Sequence, residues 1–160
     1  MSRGKPNDPL AWAELANRDL FRAEVLMAKD DIDGCMFHLQ QACEKHLKGK
    51  LVEKGWRLQR LHDIPELLNE AKAMGIDASL SNETASLLAV EYIGGRYPGW
   101  DSDPEPTKEM ALSSLAEVSK MIGKPVDVKQ VDPIIEQLEG SKNTSRNPPT
   151  VGGKPPEGLV

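Results

Sequence analysis

The stretch that decides the fold is Ile32-Asp-Gly-Cys-Met-Phe-His-Leu-Gln-Gln-Ala-Cys-Glu-Lys-His-Leu-Lys-Gly-Lys-Leu-Val-Glu-Lys54. Plotted on a helical wheel at about 100° per residue, it has a narrow, mainly apolar arc. That arc holds Ile32, Met36, Leu39, Cys43, Leu47 and Lys50, with Cys35, Ala42 and His46 beside it. The pattern predicts a long helix whose arc faces a core and whose end is set by Gly55.

A second arc, about 80° wide on the flank of the same helix, is polar. It carries the residues that we call the polar stripe: His38, Gln41, Lys45 and Lys48. Lysines pair with phosphate as point charges, Gln41 can donate and accept, and His38 can donate or stack near neutral pH. Polar helix flanks are also commonly plain solvated faces, so both interpretations stay open.

Capping signals place the helices on either side of this stretch. We predict a first helix from Pro9, with Asp8 as N-cap, to about Ala28. Its inner stripe is expected to hold Leu10, Ala13, Leu20, Ala23 and Leu26 or Met27.

Three further helices are predicted after the linker that follows Gly55. Asp63 and Glu66 form a capping box that starts a third helix, which ends at Gly75. Ser79 or Ser81 caps a fourth helix through Tyr92 to Gly94-Gly95, and a fifth runs from about Pro104 to Gly123. Helix-forming residues outweigh β-branched ones, which indicates an all-α protein.

The chain is expected to hold one folded domain. We assign residues 1–125 to a helical bundle and 126–139 to a short helical extension. Of the last 21 residues, 14 are Gly, Pro, Ser, Thr or Asn, so 140–160 is predicted to be a disordered tail.

We expect a cytoplasmic protein, because no apolar run approaches the roughly 20 residues that cross a bilayer and the N-terminus lacks a signal peptide's apolar segment.

Cys35 and Cys43 lie about 12 Å apart along one helix, too far for a disulfide. Cys35-x-x-His38 and Cys43-x-x-His46 resemble metal-ligand spacings. However, they spread along about 16 Å of one helix, so no metal site is predicted. No Gly-rich phosphate loop or His-Glu-x-x-His motif occurs, and no cofactor is predicted.

The segment Glu91–Trp100 concentrates scarce aromatic residues around an arginine. Arg96 lies between Tyr92 and Tyr97, and a guanidinium binds phosphate bidentately while tyrosine rings can stack on a base. The alternative is a helix-terminating turn whose rings cover the bundle end. His62 precedes an N-cap and is either a ligand contact or bonded to the helix terminus.

Charge is distributed unevenly along the chain. The net charge is −5, yet residues 45–62 form a basic strip. Its cations are Lys45, Lys48, Lys50, Lys54, Arg57 and Arg60.

The series Leu15-x3-Asp19-Leu20-x2-Ala23, then His38-x-Gln-Gln-Ala-x-Glu-Lys-x-Leu-Lys48, then Leu61-His-Asp and Arg96-Tyr-Pro, resembles the HEPN ("higher eukaryotes and prokaryotes nucleotide-binding") domain family over about residues 9–124. The resemblance implies an antiparallel up-and-down bundle of four or five helices, usually a homodimer, with a cleft that binds nucleotides or RNA. Many relatives are encoded beside a minimal nucleotidyltransferase, as toxin and antitoxin, so the resemblance implies a nucleotidyltransferase-type partner. Carried over by motif position, the ligand-binding candidates are His38, Gln41, Lys45, Lys48, Arg96 and Tyr97. His62 and Tyr92 join them on the chemistry given above.

The chain departs from the nuclease members of that family. Those members carry an arginine followed by a histidine after four to six residues, whereas no histidine follows His62 here. General acid–base help contributes about 10²–10⁴ in rate, so we expect little nuclease activity unless His38 or His62 substitutes.

We therefore predict a module that binds a nucleotide or an RNA phosphate, and we assign no catalytic residues. A metal-independent ribonuclease toxin with a displaced histidine and a non-catalytic dimeric scaffold are the alternatives. Phe37 and Leu51, which lie outside the core arc, are expected to favour a dimer.

Overall fold

The computed structural model describes residues 4–89 and 105–126. These residues form helices and connections, with no strand among them. The helices are α1 (Pro9–Ala28), α2 (Ile32–Glu53), α3 (Ile64–Ala73), α4 (Asn82–Leu87) and α5 (Lys108–Ile122). The prediction of an all-α helical bundle is confirmed.

The helix starts follow the capping signals in the sequence. The Asp8 carboxylate accepts a hydrogen bond from the Leu10 amide at 3.0 Å, which satisfies a free N–H at the start of α1. Asp63 does the same for the Glu66 amide at 2.9 Å, so α3 begins where the capping box predicts. Of the two serines proposed for α4, Ser81 is the cap.

Helix α2 is the centre of the bundle, since it packs against α1, α3 and α5. A short turn at residues 29–31 makes α1 and α2 an antiparallel pair. At their far end Gly49 permits a close approach, because a Cβ placed there would lie 2.9 Å from the Trp12 Cβ. The core of α2 is Cys35, Met36, Leu39, Ala42, Cys43, Leu47 and Leu51, all fully buried.

Three predicted core positions are wrong. Leu10 is 74% exposed and Ala13 is also exposed, because the buried side of α1 is set by Ala16, Leu20, Ala23 and Met27. Lys50 lies in the apolar arc of the wheel, but it occupies the last turn of α2, where its side chain reaches solvent and pairs with Glu53 at 3.6 Å.

Leu51 was also misplaced, since it was expected to face outward and is fully buried. Its carbonyl accepts the Trp56 amide at 2.9 Å, and this bond folds the following residues back over the end of α2. The Leu51 side chain belongs to the core cluster that also holds Ile64 and Leu67 of α3, and a wheel of α2 alone shows none of these neighbours.

Two helix boundaries differ from prediction. Helix α4 ends at Leu87, where the Ala89 amide bonds the Ser86 carbonyl three residues back and so departs from the α-helical pattern. Positions from 90 to 104 lie outside the described residues. Helix α5 begins at Lys108, because Thr107 is the N-cap and its hydroxyl accepts a hydrogen bond from the Met110 amide at 3.2 Å. Apart from Val126, which packs against the core, the predicted extension and the tail lie outside the described residues and stay predictions.

Burial controls the titration of several side chains in the core. It raises the pKa of the Cys35 thiol to about 12, with Asp31 adding to the effect, and it raises the pKa of Cys43 further. Burial, together with Lys50, lowers the pKa of His46 to about 4. Both thiols and the His46 imidazole are therefore neutral at pH 7 and act as core lining, as their positions on the wheel indicate.

Candidate functional site

The first polar cluster centres on Asp19, a residue of α1 that is only 2% exposed. Its Oδ1 accepts hydrogen bonds from His38 Nδ1 at 2.9 Å and Arg22 Nη1 at 3.1 Å. Its Oδ2 accepts a close hydrogen bond from Lys45 Nζ. The seven-residue spacing of His38 and Lys45 on α2 lets one carboxylate reach both, because it places them on one side of the helix.

These hydrogen bonds keep the Asp19 carboxyl ionised. Burial alone would raise its pKa, but the bonds from Lys45 and His38 outweigh burial and hold the pKa below its ordinary value. A carboxylate only accepts, so the His38 Nδ1 carries a proton and the Nε2 of the neutral ring is an acceptor. Asp19 thus fixes both the tautomer and the direction of the imidazole.

The second cluster centres on Glu44 of α2, which is 7% exposed. Its Oε1 accepts from Lys48 Nζ and from His62 Nδ1, each at 2.8 Å. Its Oε2 accepts from Gln40 Nε2 at 3.2 Å, and Gln40 Oε1 in turn accepts from Gln41 Nε2 at 2.8 Å. Gln41, Lys48 and His62 are therefore joined through one buried carboxylate.

The polar stripe is thus neither a plain solvated face nor a row of free cations. The His38 and Lys45 side chains are 24% and 22% exposed, and that of His62 is 59% exposed. Lys48 differs, because its side chain is only 5% exposed and its ammonium is directed at Glu44. His38, Lys45 and His62 are therefore accessible to a ligand, whereas Lys48 is almost fully buried.

The other half of the predicted site cannot be placed against this surface. Tyr92, Arg96 and Tyr97 lie outside the described residues, as does Trp100. The hypothesis that they face the polar stripe across a shared groove stays a prediction.

A separate pocket of about 500 Å³ lies between the α3–α4 connection and α5. None of the predicted ligand-binding residues lines it. Its Glu117 carboxylate accepts hydrogen bonds from the Ser81 amide and hydroxyl, each at 2.8 Å, and from Thr84 Oγ1 at 2.9 Å. Burial raises the pKa of Glu117, but these bonds outweigh it and lower the pKa, so this carboxylate serves to attach α4 to α5.

Metal ligation finds no support in residues 4–89 and 105–126. No group of three or more His, Cys, Asp or Glu side chains in these ranges is arranged to hold an ion. His38 and His62 are each directed at one carboxylate instead.

Sequence reasoning missed the residues that organise this surface. Asp19 and Glu44 entered only as letters of a family pattern, and Arg22 and Gln40 had no assigned part. One signal was present: Asp19 lies about 40° from Ala23 on the wheel of α1, beside the apolar side. A charged residue beside a buried side indicates a partner on the neighbouring helix.

Comparison with known proteins identifies the family of this chain. The model of the HEPN domain family matches residues 10–150, which is most of the chain. The chain therefore belongs to the HEPN domain family, and this membership indicates a function related to nucleotides or RNA. No curated protein and no solved structure matched in the same comparisons.

No helix among the described residues is long and apolar enough to cross a membrane.

Proposed function

We propose that this HEPN-domain protein binds a nucleotide or an RNA phosphate along the polar stripe. The observation that carries the proposal is the arrangement of His38, Lys45 and His62, which reach the surface while buried carboxylates fix their positions. Donors that are already oriented lose less conformational entropy when a ligand binds. Arg96, with Tyr92 and Tyr97, completes the proposed site as a phosphate clamp and a stacking surface.

Each residue has a distinct part in this site. An ammonium has three N–H donors, so Lys45 keeps two for a phosphate after bonding Asp19. His38 and His62 bond their carboxylates through Nδ1, which leaves the Nε2 of each ring for a ligand. Gln41 keeps one amide N–H after bonding Gln40. Lys48 is a positioning residue, because it holds Glu44 in place from the buried side.

Replacing Lys45 with glutamine tests the site directly. We expect affinity for labelled ATP or a short RNA to fall at least about tenfold, because a charge-assisted bond to phosphate is lost. Arg96→Ala is expected to have a similar effect. Lys72→Gln, which removes an exposed lysine of α3, is the matched control and should leave binding unchanged. Thermal unfolding of each variant establishes that it is folded. Equal affinity of wild type and Lys45→Gln would contradict the proposal.

We also propose a homodimer that acts in the cytoplasm with a nucleotidyltransferase-type partner, in a toxin–antitoxin-like system. Support comes from α1, where Leu10, Phe21 and Val25 are 74%, 64% and 42% exposed and lie within about 60° of one another. An apolar face of this kind is typical of an interaction surface. The structure lends less support to Phe37, which is half-buried and makes a T-shaped contact with the His38 ring, the ring centroids being 5.1 Å apart.

Light scattering on the purified chain tests the assembly. We expect the mass of a dimer, and Phe21→Ser should shift it toward that of the monomer. Arg18→Ser, on the same exposed side of α1, is a control that keeps the apolar face. A monomeric wild type at micromolar concentration would exclude the homodimer.

The ribonuclease alternative gains support from the two carboxylate–histidine pairs. In this mechanism the neutral His38 takes the proton of a ribose 2′-hydroxyl, and the 2′-oxygen forms a bond to phosphorus. The bond from phosphorus to the 5′-oxygen breaks, and that oxygen takes a proton from Lys45. The products are a 2′,3′-cyclic phosphate and a 5′-hydroxyl, and no metal takes part.

Incubation of RNA with the purified protein in excess EDTA tests this alternative. Cleavage that His38→Asn abolishes, with cyclic phosphate ends on the products, is the result expected of it. His46→Asn is the control, since that imidazole lies in the core and contacts no carboxylate in the described residues. Intact RNA after prolonged incubation with the wild type would rule out the ribonuclease.

A further inference from the structure

The connection between α3 and α4, residues 74–81, contains a stretch in which burial alternates from one residue to the next. The members that are partly buried and pack against the core are Ile76, Ala78 and Leu80. The exposed members between and after them are Asp77, Ser79 and Ser81. An alternation of period two is typical of a β-strand with one face on a core, although this stretch belongs to no sheet in the described residues.

Hydrogen bonds fix this stretch at both ends. At its start the Ile76 amide bonds the Ala71 carbonyl of α3 at 2.9 Å. At its end the Ser81 amide and hydroxyl both donate to the Glu117 carboxylate of α5, each at 2.8 Å. Residues 77–80 are therefore held between α3 and α5, so a partner that binds them loses little entropy in ordering this segment.

The backbone groups between these two anchors are almost all unused. The Ala78 amide bonds the Ile76 carbonyl at 3.1 Å, which makes a tight turn about Asp77. Within residues 4–89 and 105–126, the N–H and C=O groups of residues 77–80 make no other hydrogen bond. Unpaired N–H and C=O groups along an extended segment are a template for pairing with another chain.

The stretch also forms one wall of the pocket of about 500 Å³, and α5 forms the other. Lys120 of α5 places an exposed ammonium there, and Asp77 places an exposed carboxylate. Neither side chain has an oppositely charged group within 4.0 Å in the part of the chain that the structure describes. Leu80 and Met121 add two partly buried apolar side chains.

These features fit an extended peptide better than a compact small molecule. Small-molecule pockets are lined mainly by apolar side chains, whereas polar and charged side chains predominate here. A peptide that adds a strand to a free edge gains affinity from main-chain hydrogen bonds and specificity from every second side chain. Those side chains lie on one face at intervals of about 7 Å, so three of them can reach separate parts of the pocket.

We propose that the α3–α4 connection binds an extended peptide segment of another protein by pairing with its main chain. The segment carries an apolar side chain between an acidic and a basic one on the same face. The acidic side chain pairs with Lys120, the basic one with Asp77, and the apolar one packs on Leu80 and Met121. This inference is independent of the proposed function, since no residue of the polar stripe lines the pocket.

Two capped, labelled pentapeptides test the proposal on the full chain: Lys-Thr-Leu-Thr-Glu and Glu-Thr-Leu-Thr-Lys. Both are used because an added strand can run parallel or antiparallel. We expect one of them to bind saturably below about 1 mM. The bound peptide should slow hydrogen exchange at the Ser79 and Leu80 amides, followed by NMR. N-methylation of the peptide amides should weaken binding about tenfold, because the main-chain donors are lost.

Lys120→Glu tests the assignment of the charges. It should weaken binding of the preferred peptide about threefold or more, a modest effect because the lysine is exposed. A peptide with Lys in place of its Glu should then bind the variant more tightly than it binds the wild type. Lys72→Glu is the matched control, since Lys72 is also an exposed lysine in the last turn of its helix. Thermal unfolding establishes that both variants are folded.

Three results would overturn the inference. The first is the absence of saturable binding for both peptides. The second is binding that leaves exchange at Ser79 and Leu80 unchanged, because it would place the peptide elsewhere on the protein. The third is equal binding of the N-methylated peptide, which would mean that the main chains do not pair. None of these results bears on the proposed function, which is tested by the dependence of ATP or RNA binding on Lys45.

Discussion

Two buried carboxylates, Asp19 and Glu44, are the constraint on which the arrangement of this protein depends. A buried charge is stable only when it is paired and hydrogen-bonded. Asp19 is satisfied from two helices by Arg22, His38 and Lys45, so α1 and α2 must pack in one register. Glu44 is satisfied by Gln40, Lys48 and His62, so the connection to α3 must return to α2. The requirements of the fold and the positions of the candidate ligand contacts are therefore set by the same hydrogen bonds.

Much of the helical architecture could be predicted because its signals are local. Asp8, Asp63 and Gly123 act at the helix ends where their side chains or backbone conformations are required, whatever the rest of the chain does. The errors arose where tertiary contacts decide. Leu10 is apolar yet exposed, since the buried side of α1 is chosen by its packing on α2. The end of α4 at Leu87 has no stop signal in the sequence around it.

Part of the candidate site could be predicted, because the residues on one flank of α2 follow from that helix alone. A wheel of one helix places His38, Gln41, Lys45 and Lys48 on one flank, but it shows nothing of the neighbouring elements. It could not show that Lys48 is buried against Glu44 while Lys45 reaches the surface. Membership in the HEPN domain family indicates a function related to nucleotides or RNA. The Asp19 carboxylate explains how His38 and Lys45 are kept in position on α2.

A double-mutant cycle on Glu44 and Lys48, followed by urea unfolding, tests this account most directly. Removing one partner of a buried pair leaves an uncompensated charge, so Lys48→Met alone should cost about 2–4 kcal/mol, with His62 offsetting part of the loss. The combined Lys48→Met/Glu44→Gln variant should be more stable than the sum of the single changes predicts, by at least about 1 kcal/mol. Single changes within about 0.5 kcal/mol of wild type, adding without coupling, would mean that these charges are solvated and would contradict the account.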